Sequence, residues 1–219
     1  MNRPDRKIIT AEDPVEYNFE GINQCQVREG IGLTFPAILR SMLRQAPNII
    51  LVGEIRDKEV GEIAIQAALT GHLVFSTLHT NDAPSAITRL IDMGIKPFLV
   101  ASSIQAVMAQ RLIRMLHQPS RVLDDSPDPK FLHLCGIKPG EWEGKVYKAG
   151  SAPEAPNGYK GRKAIFEMML MNSDLREMSF RKAPVAELRV KAIQSGMKTL
   201  IEDGTRQVHK GDATPAEVA

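Results

Sequence analysis

In the first half of the chain, short continuous apolar runs alternate with stretches whose apolar positions recur at helical spacing. Ile49-Ile50-Leu51-Val52 is apolar throughout and stops at Gly53, the pattern of a strand buried on both faces of a parallel sheet. Lys7-Ile8-Ile9-Thr10 and His72-Leu73-Val74-Phe75-Ser76-Thr77 read as two further strands. Between the strands, Phe35, Ile38, Leu39, Met42 and Leu43 share one face of a predicted helix over 35–45, with Arg40 and Arg44 offset from it. Helices are also predicted over 59–69, closed by Thr70-Gly71, and over 83–93, with Pro84 in the first turn and Gly94 as the stop. A longer helix is predicted over 98–116.

From 117 to 160 the pattern breaks. Pro119, Pro127, Pro129, Pro139, Pro153 and Pro156 alternate with Gly136, Gly140, Gly144, Gly150, Gly158 and Gly161, so a loop-rich segment is expected, with a short strand at Val146-Tyr147. Regularity then returns. Ala164–Met169 suits a strand, and 174–180, 185–195 and 200–210 suit short helices, with Gly196 and Gly211 at helix stops. The chain thus divides into a βα region at 1–116, a loop-rich segment at 117–160 and a mostly helical region at 161–219.

Composition changes little in this picture. The chain has 219 residues, 43% hydrophobic and 25% charged, with a net charge of +2, as expected of an ordinary globular protein. That balance gives no reason to propose nucleic acid as a partner. No apolar run approaches the ~20 residues needed to cross a bilayer, and the basic stretch Met1–Lys7 has no apolar segment behind it, so neither direct membrane insertion nor a secretory signal is expected. Cys25 and Cys135 lie far apart, and a reducing cytoplasm is the expected setting.

The chemistry gathers at strand ends. The run Ile49–Val52 delivers Glu54, followed by Arg56 and Asp57, at its carboxyl tip, where a crevice ligand or a hard cation would sit; a buried strand with an ordinary polar turn is the alternative. The first strand is followed by Glu12, Asp13 and Glu16, with Pro14 keeping the backbone extended at Asp13; a solvated acidic loop is the alternative. A carboxylate here could orient a water for attack on a phosphoryl group. The third strand is bracketed by His72 and His79 and leaves through Thr77, Thr80 and Asn81. An imidazole at that exit could donate to a phosphate. Three polar clusters following three successive strands are harder to attribute to chance than one.

These clusters resemble, in order, the Asp box, Walker B motif and His box of the secretion ATPase superfamily, closest to the branch that powers type II secretion and type IV pilus assembly. Ile9-Thr10-Ala11-Glu12-Asp13-Pro14-Val15-Glu16-Tyr17 resembles the first, Leu39–Asn48 leads into the second, and Gly71–Thr80 is similar to the third; the resemblance resumes at Asn157–Arg162. It implies a RecA-like P-loop NTPase core followed by a small, mostly helical C-terminal subdomain. It also implies catalytic roles for Glu12, Glu54 and His79, with Asp13, Glu16, Arg56, Asp57, His72 and Thr77 supporting a nucleotide and Mg2+ site. The implied cofactors are ATP and Mg2+. The implied assembly is a cytoplasmic homo-hexamer, peripheral to the inner membrane through secretion or pilus platform proteins. Arg40, Arg44, Arg56 and Arg89 are candidates for inter-motif or intersubunit ion pairs, with simple surface solvation as the alternative.

Two departures from the family pattern matter. No G-x-x-x-x-G-K-S/T occurs in residues 1–219, and only about six residues precede the first strand, where the family places that loop further upstream. The expectation is a chain inactive by itself, of low stability, with strand edges left unpaired. A truncated enzyme and a paralogue that has lost hydrolysis both fit, and so does an interaction subunit that never hydrolyses. A retraction-type motor fits less well, because the long segment after Leu116 resembles the assembly branch. The second departure is metal: the family's paired C-x-x-C positions read His117-Gln118-Pro119-Ser120 and Glu154-Ala155-Pro156-Asn157 here, and His133 with Cys135 do not suffice, so no zinc is expected.

Overall fold

The computed structural model describes residues 1–138, 140, 142 and 146–219; Pro139 and Gly144 of the predicted loop-rich segment lie outside the described residues. In chain order the elements are β1 (Ile8–Glu12), β2 (Asn23–Gln26), α1 (Phe35–Met42), β3 (Ile49–Val52), α2 (Lys58–Leu69), β4 (Leu73–Ser76), α3 (Ala83–Asp92) and α4 (Pro97–Ser103). There follow β5 (Ala106–Leu116), β6 (Val122–Leu123), α5 (Pro129–Leu134), β7 (Tyr147–Lys148), β8 (Tyr159–Leu170), α6 (Ser173–Phe180), α7 (Val185–Gln194), α8 (Leu200–His209) and α9 (Pro215–Val218).

Two compact units are interleaved along the chain: 1–105 with 171–191, and 106–170 with 192–219. The first is an α/β layer around a sheet of order β2-β1-β3-β4 in which every pairing is parallel. The central strands are dry on both faces, with Ile9, Ile50 and Val52 at 4% exposure or less, which is why they read as unbroken apolar runs. Side-chain caps start the helices: Thr34 for α1, Asp57 for α2 and Asp82 for α3 each accept a first-turn N–H. Because all four strands run the same way, their carboxyl ends share one edge of the sheet. β2 and β4 are its edge strands, and Leu73 and Phe75 on β4 are 43% and 39% exposed.

The helix expected over 98–116 does not form. Instead α4 ends at Ser103, Ile104 turns extended, and 106–116 becomes β5, paired antiparallel with β8 from Ala106↔Leu170 to Leu116↔Tyr159. The hydroxyls of Ser102 and Ser103 donate to Phe98 O and Leu99 O, both at 2.7 Å, which satisfies last-turn carbonyls and competes with continuation of the helix. Beyond them, Val-Met-Ala-Gln-Arg-Leu has good helix propensity, which the long pairing with β8 overrides.

This ribbon organises the second unit. Ile113 and Ile165 from β5 and β8 pack in one cluster with Leu132, Cys135, Ile137, Val146, Leu200, Val208 and Val218. Four of those come from the segment expected to be mostly loop, which therefore contributes to a core. Cys135 is buried there, its thiol pushed up by burial, with its Sγ donating to Pro215 O at 3.5 Å. At the neck of the same segment, His117 Nδ1 lies 2.9 Å from Ser120 Oγ and His117 Nε2 lies 3.7 Å from Glu154. Among the described residues no group of three or more His, Cys, Asp or Glu side chains is placed to hold a metal ion.

Candidate functional site

The site is built at the carboxyl ends of β1, β3 and β4. Backbone contacts set their spacing: Gly53 N–H donates to Ala11 O at 2.7 Å, and Ile55 N–H donates to Thr77 O at 3.0 Å. Thr77 Oγ1 also donates to Gly53 O, so the exits of β3 and β4 are tied together twice. Gly53 is where a side chain would not fit easily. A Cβ there would lie 3.1 Å from Ala11 O and 3.4 Å from Glu12 Cα. The sheet thus brings the tip that carries Glu54 into close backbone contact with the tip that carries Glu12.

Glu12 is held by two donors that sequence reading did not single out. Thr10 Oγ1 and Gln24 Nε2 (3.0 Å) both donate to Glu12 Oε1. The Gln24 amide also donates to Tyr17 O at 2.9 Å and accepts Phe19 N–H at 2.8 Å, so one side chain on β2 fixes both the carboxylate and the loop beyond it. Thr10 and Gln24 face each other in the β1–β2 register. That pairing was invisible in the sequence, because polar Asn23-Gln24-Cys25-Gln26 carries no strand signal.

Glu54 sits in a chain of alternating charge. Its Oε1 pairs with Arg56, its Oε2 lies 3.1 Å from His79 Nε2, and Arg56 Nη1 reaches Asp13 Oδ2 at 3.4 Å. The Arg56 hydrogen bond, opposed by burial and aided by His79, holds the Glu54 carboxyl below the usual range. An ionised carboxylate only accepts, so His79 Nε2 carries the proton in this contact. Glu54 is 14% exposed at its side chain and His79 89%, so the acid is fixed and the imidazole reaches out of solvent to meet it.

The remaining expected residues divide. Asp13, Arg56 and Thr77 join the network just described. Asp57 uses its carboxylate to cap α2 through Val60 N–H at 2.9 Å. Glu16 is exposed on the loop after β1. His72 stands before β4, at the opposite end of that strand from His79, with Nδ1 near Ala67 O at 3.0 Å and Thr70 Oγ1 at 3.2 Å. Arg40 pairs with Glu59 of α2 at 2.6 Å, and Arg44 and Arg89 are exposed.

As a donor set, the edge offers one fixed carboxylate, Glu54, and a second, Glu12, on the neighbouring tip. A Mg2+ ion bound chiefly through phosphate oxygens and water takes one or two protein carboxylates, so this set fits such an ion and not an all-protein metal cage.

The whole chain is similar to secretion and pilus proteins. It is 46% identical to the type II secretion system protein E of Xanthomonas campestris over 220 residues, and 47% identical to the type IV pilus assembly ATPase PilB of Myxococcus xanthus over 220 residues. Both matches take in 100% of this chain and 39% of the relative, so the chain spans well under half of either. Among solved structures, the pilus retraction motor PilT with bound ADP superposes with a TM-score of 0.66 at 26% identity, covering 97% of this chain and 51% of that one. The ATPase DotB of Legionella pneumophila gives a TM-score of 0.67 at 20% identity, over 99% of this chain and 52% of its own, and shares the fold. The parallel sheet and its helices are therefore the α/β, RecA-like core of such ATPases. Residues 1–219 match the Type II/IV secretion system protein family from end to end, and the chain belongs to that family.

Proposed function

We propose that residues 1–219 form the hydrolytic side of an ATP-driven motor for type II secretion or type IV pilus assembly. The observation that carries this reading is the convergence of Glu12, Glu54 and His79 at one sheet edge, held by backbone bonds between the three strand ends. Glu12, with Oε1 held by Thr10 and Gln24, orients the attacking water and takes its proton. Glu54 holds Mg2+ directly or through water, and that ion neutralises phosphate charge when bound. His79 exchanges its contact with Glu54 for one with the terminal phosphate, and so reports whether that phosphate is present. Arg56 keeps Glu54 ionised, and Asp13 helps hold Arg56 in place.

The phosphate cradle is not among residues 1–219, so this chain by itself binds ATP weakly and does not turn it over. We place the missing strand at the open edge of β4, where Leu73 and Phe75 are exposed and one row of backbone groups is unpaired. The assembled motor is a homo-hexamer on the cytoplasmic side of the inner membrane, bound to platform proteins. Among the described residues no helix is long and apolar enough to cross a membrane.

The test is a graft in which residues 1–219 replace the matching segment of the Xanthomonas campestris protein, 46% identical to them. ATP hydrolysis by the graft, abolished by Glu54→Gln, supports the reading. A graft that assembles and binds ATP without hydrolysing it favours the non-hydrolysing subunit instead.

A further inference from the structure

The loop that carries His79 is pinned at both ends, and the two pins come from different elements. At Thr77 it is tied to the exit of β3 through Gly53 O and Ile55 N–H. At Asp82 it is tied to α3, whose first turn donates Ser85 N–H to Oδ1 at 2.9 Å, and to α7, whose Arg189 pairs with Oδ2 across 107 residues of sequence. Thr80 Oγ1 closes the turn on Asp82 O at 3.2 Å.

Capping alone does not call for the second contact, since Asn or Ser caps a helix as well as Asp does. What a carboxylate adds is a charge for Arg189. Burial works against that charge; the Ser85 hydrogen bonds and Arg189 outweigh it and hold the Asp82 carboxyl below its usual range. Arg189 itself comes from a seated helix. Leu188 beside it is 1% exposed, and Lys191, two residues further on, pairs with Asp174 of α6. His79, by contrast, is 89% exposed at its side chain, so only its loop and Glu54 determine where it stands.

We propose that Arg189 is a positioning residue: through Asp82 it fixes the loop 77–82 and keeps His79 in register with Glu54, linking α7 to the phosphate-facing edge. The proposal rests on the reading of Glu54 and His79 given above. It makes α7 the element whose displacement would release His79, and the loop state the signal α7 receives in return.

The experiment uses the graft described above and separates kcat from KM. Arg189→Gln is expected to lower kcat about 10-fold with KM for ATP unchanged, the scale of a small misplacement of a catalytic group. Asp82→Asn keeps the α3 cap and loses the charge pair, and gives the same loss. The double variant is no slower than either single one, because both remove one contact. Arg189→Lys, which keeps the charge, recovers most of the rate. A kcat within twofold of the parent for Arg189→Gln overturns the proposal, as does a double variant whose losses multiply. So does a loss that tracks only the folded fraction measured by thermal unfolding, which would make the pair merely structural. If Glu54→Gln abolishes hydrolysis while Arg189→Gln leaves it intact, the positioning role alone fails; if Glu54→Gln leaves hydrolysis intact, the functional reading fails first.

Discussion

Gly53→Ala probes the contact on which the site depends. Gly53 follows β3 and needs no unusual backbone angle, so the effect of a methyl group there is steric. The added carbon would sit 3.1 Å from Ala11 O, 3.4 Å from Glu12 Cα and 3.8 Å from the Phe35 ring. Two of those neighbours are backbone in β1, and that backbone also accepts the 2.7 Å hydrogen bond from Gly53 N–H. Neither can rotate away, so β1 and β3 must separate by a few tenths of an ångström. Overpacking of this kind costs about 1–3 kcal/mol. Loss of glycine's freedom in the unfolded chain returns about 0.4–1 kcal/mol. The net expectation is roughly 1–2 kcal/mol of destabilisation, or a urea midpoint lower by about 0.5–1 M at ordinary slopes. Gly30→Ala is the control, since a Cβ there meets nothing within 4 Å. Equilibrium urea unfolding followed by circular dichroism reads both variants. If Gly53→Ala matches or exceeds the wild type, the close approach of the two acidic tips is not what the structure describes.

Other expectations follow from single contacts. Gln24→Leu removes a donor from Glu12 Oε1 and frees the 17–19 loop, so hydrolysis by the graft should fall about 10-fold with little change in KM for ATP. Glu217, hydrogen-bonded by Arg114 against an opposing burial effect, has its carboxyl held below the usual range. A depressed carboxyl stabilises the fold above its unfolded pKa of about 4.3, and that contribution is lost as pH falls through the folded value. The stability gap between wild type and Glu217→Gln should therefore be full at pH 6–7 and close as acid is added below about pH 4; a gap that widens in acid would contradict the assignment. Metal analysis of the purified chain should find no stoichiometric zinc, the 117–158 neck being closed by the His117, Ser120 and Glu154 contacts; one zinc per chain would overturn this.

Much of the first unit was legible in the sequence. Ile49–Val52 announced itself as a strand because a buried parallel strand has no polar face, and Pro84 with Gly71 and Gly94 marked helix ends, whereas the caps made by Asp57 and Asp82 became visible only in the structure. Glu12, Glu54 and His79 were visible as residues after strands. What local pattern does not carry is pairing. β5 has the composition of a helix and becomes a strand through β8, more than 40 residues away in sequence, and β2 is a strand only because β1 lies beside it. For the same reason Gln24, Thr10 and Arg189 escaped notice: each acts through a partner distant in sequence or hidden by β alternation. His72, which the sequence sets at the other end of the strand from His79, stands there in the structure against Ala67 O.

The most direct test is the hydrolysis rate of the Xanthomonas campestris graft with Glu12 and Glu54 intact and then neutralised one at a time. Turnover is expected from the parent graft, with a loss of at least about 100-fold in both Glu12→Gln and Glu54→Gln and with folding and ATP binding retained. Turnover within a few fold of the parent in either variant would contradict the proposed function.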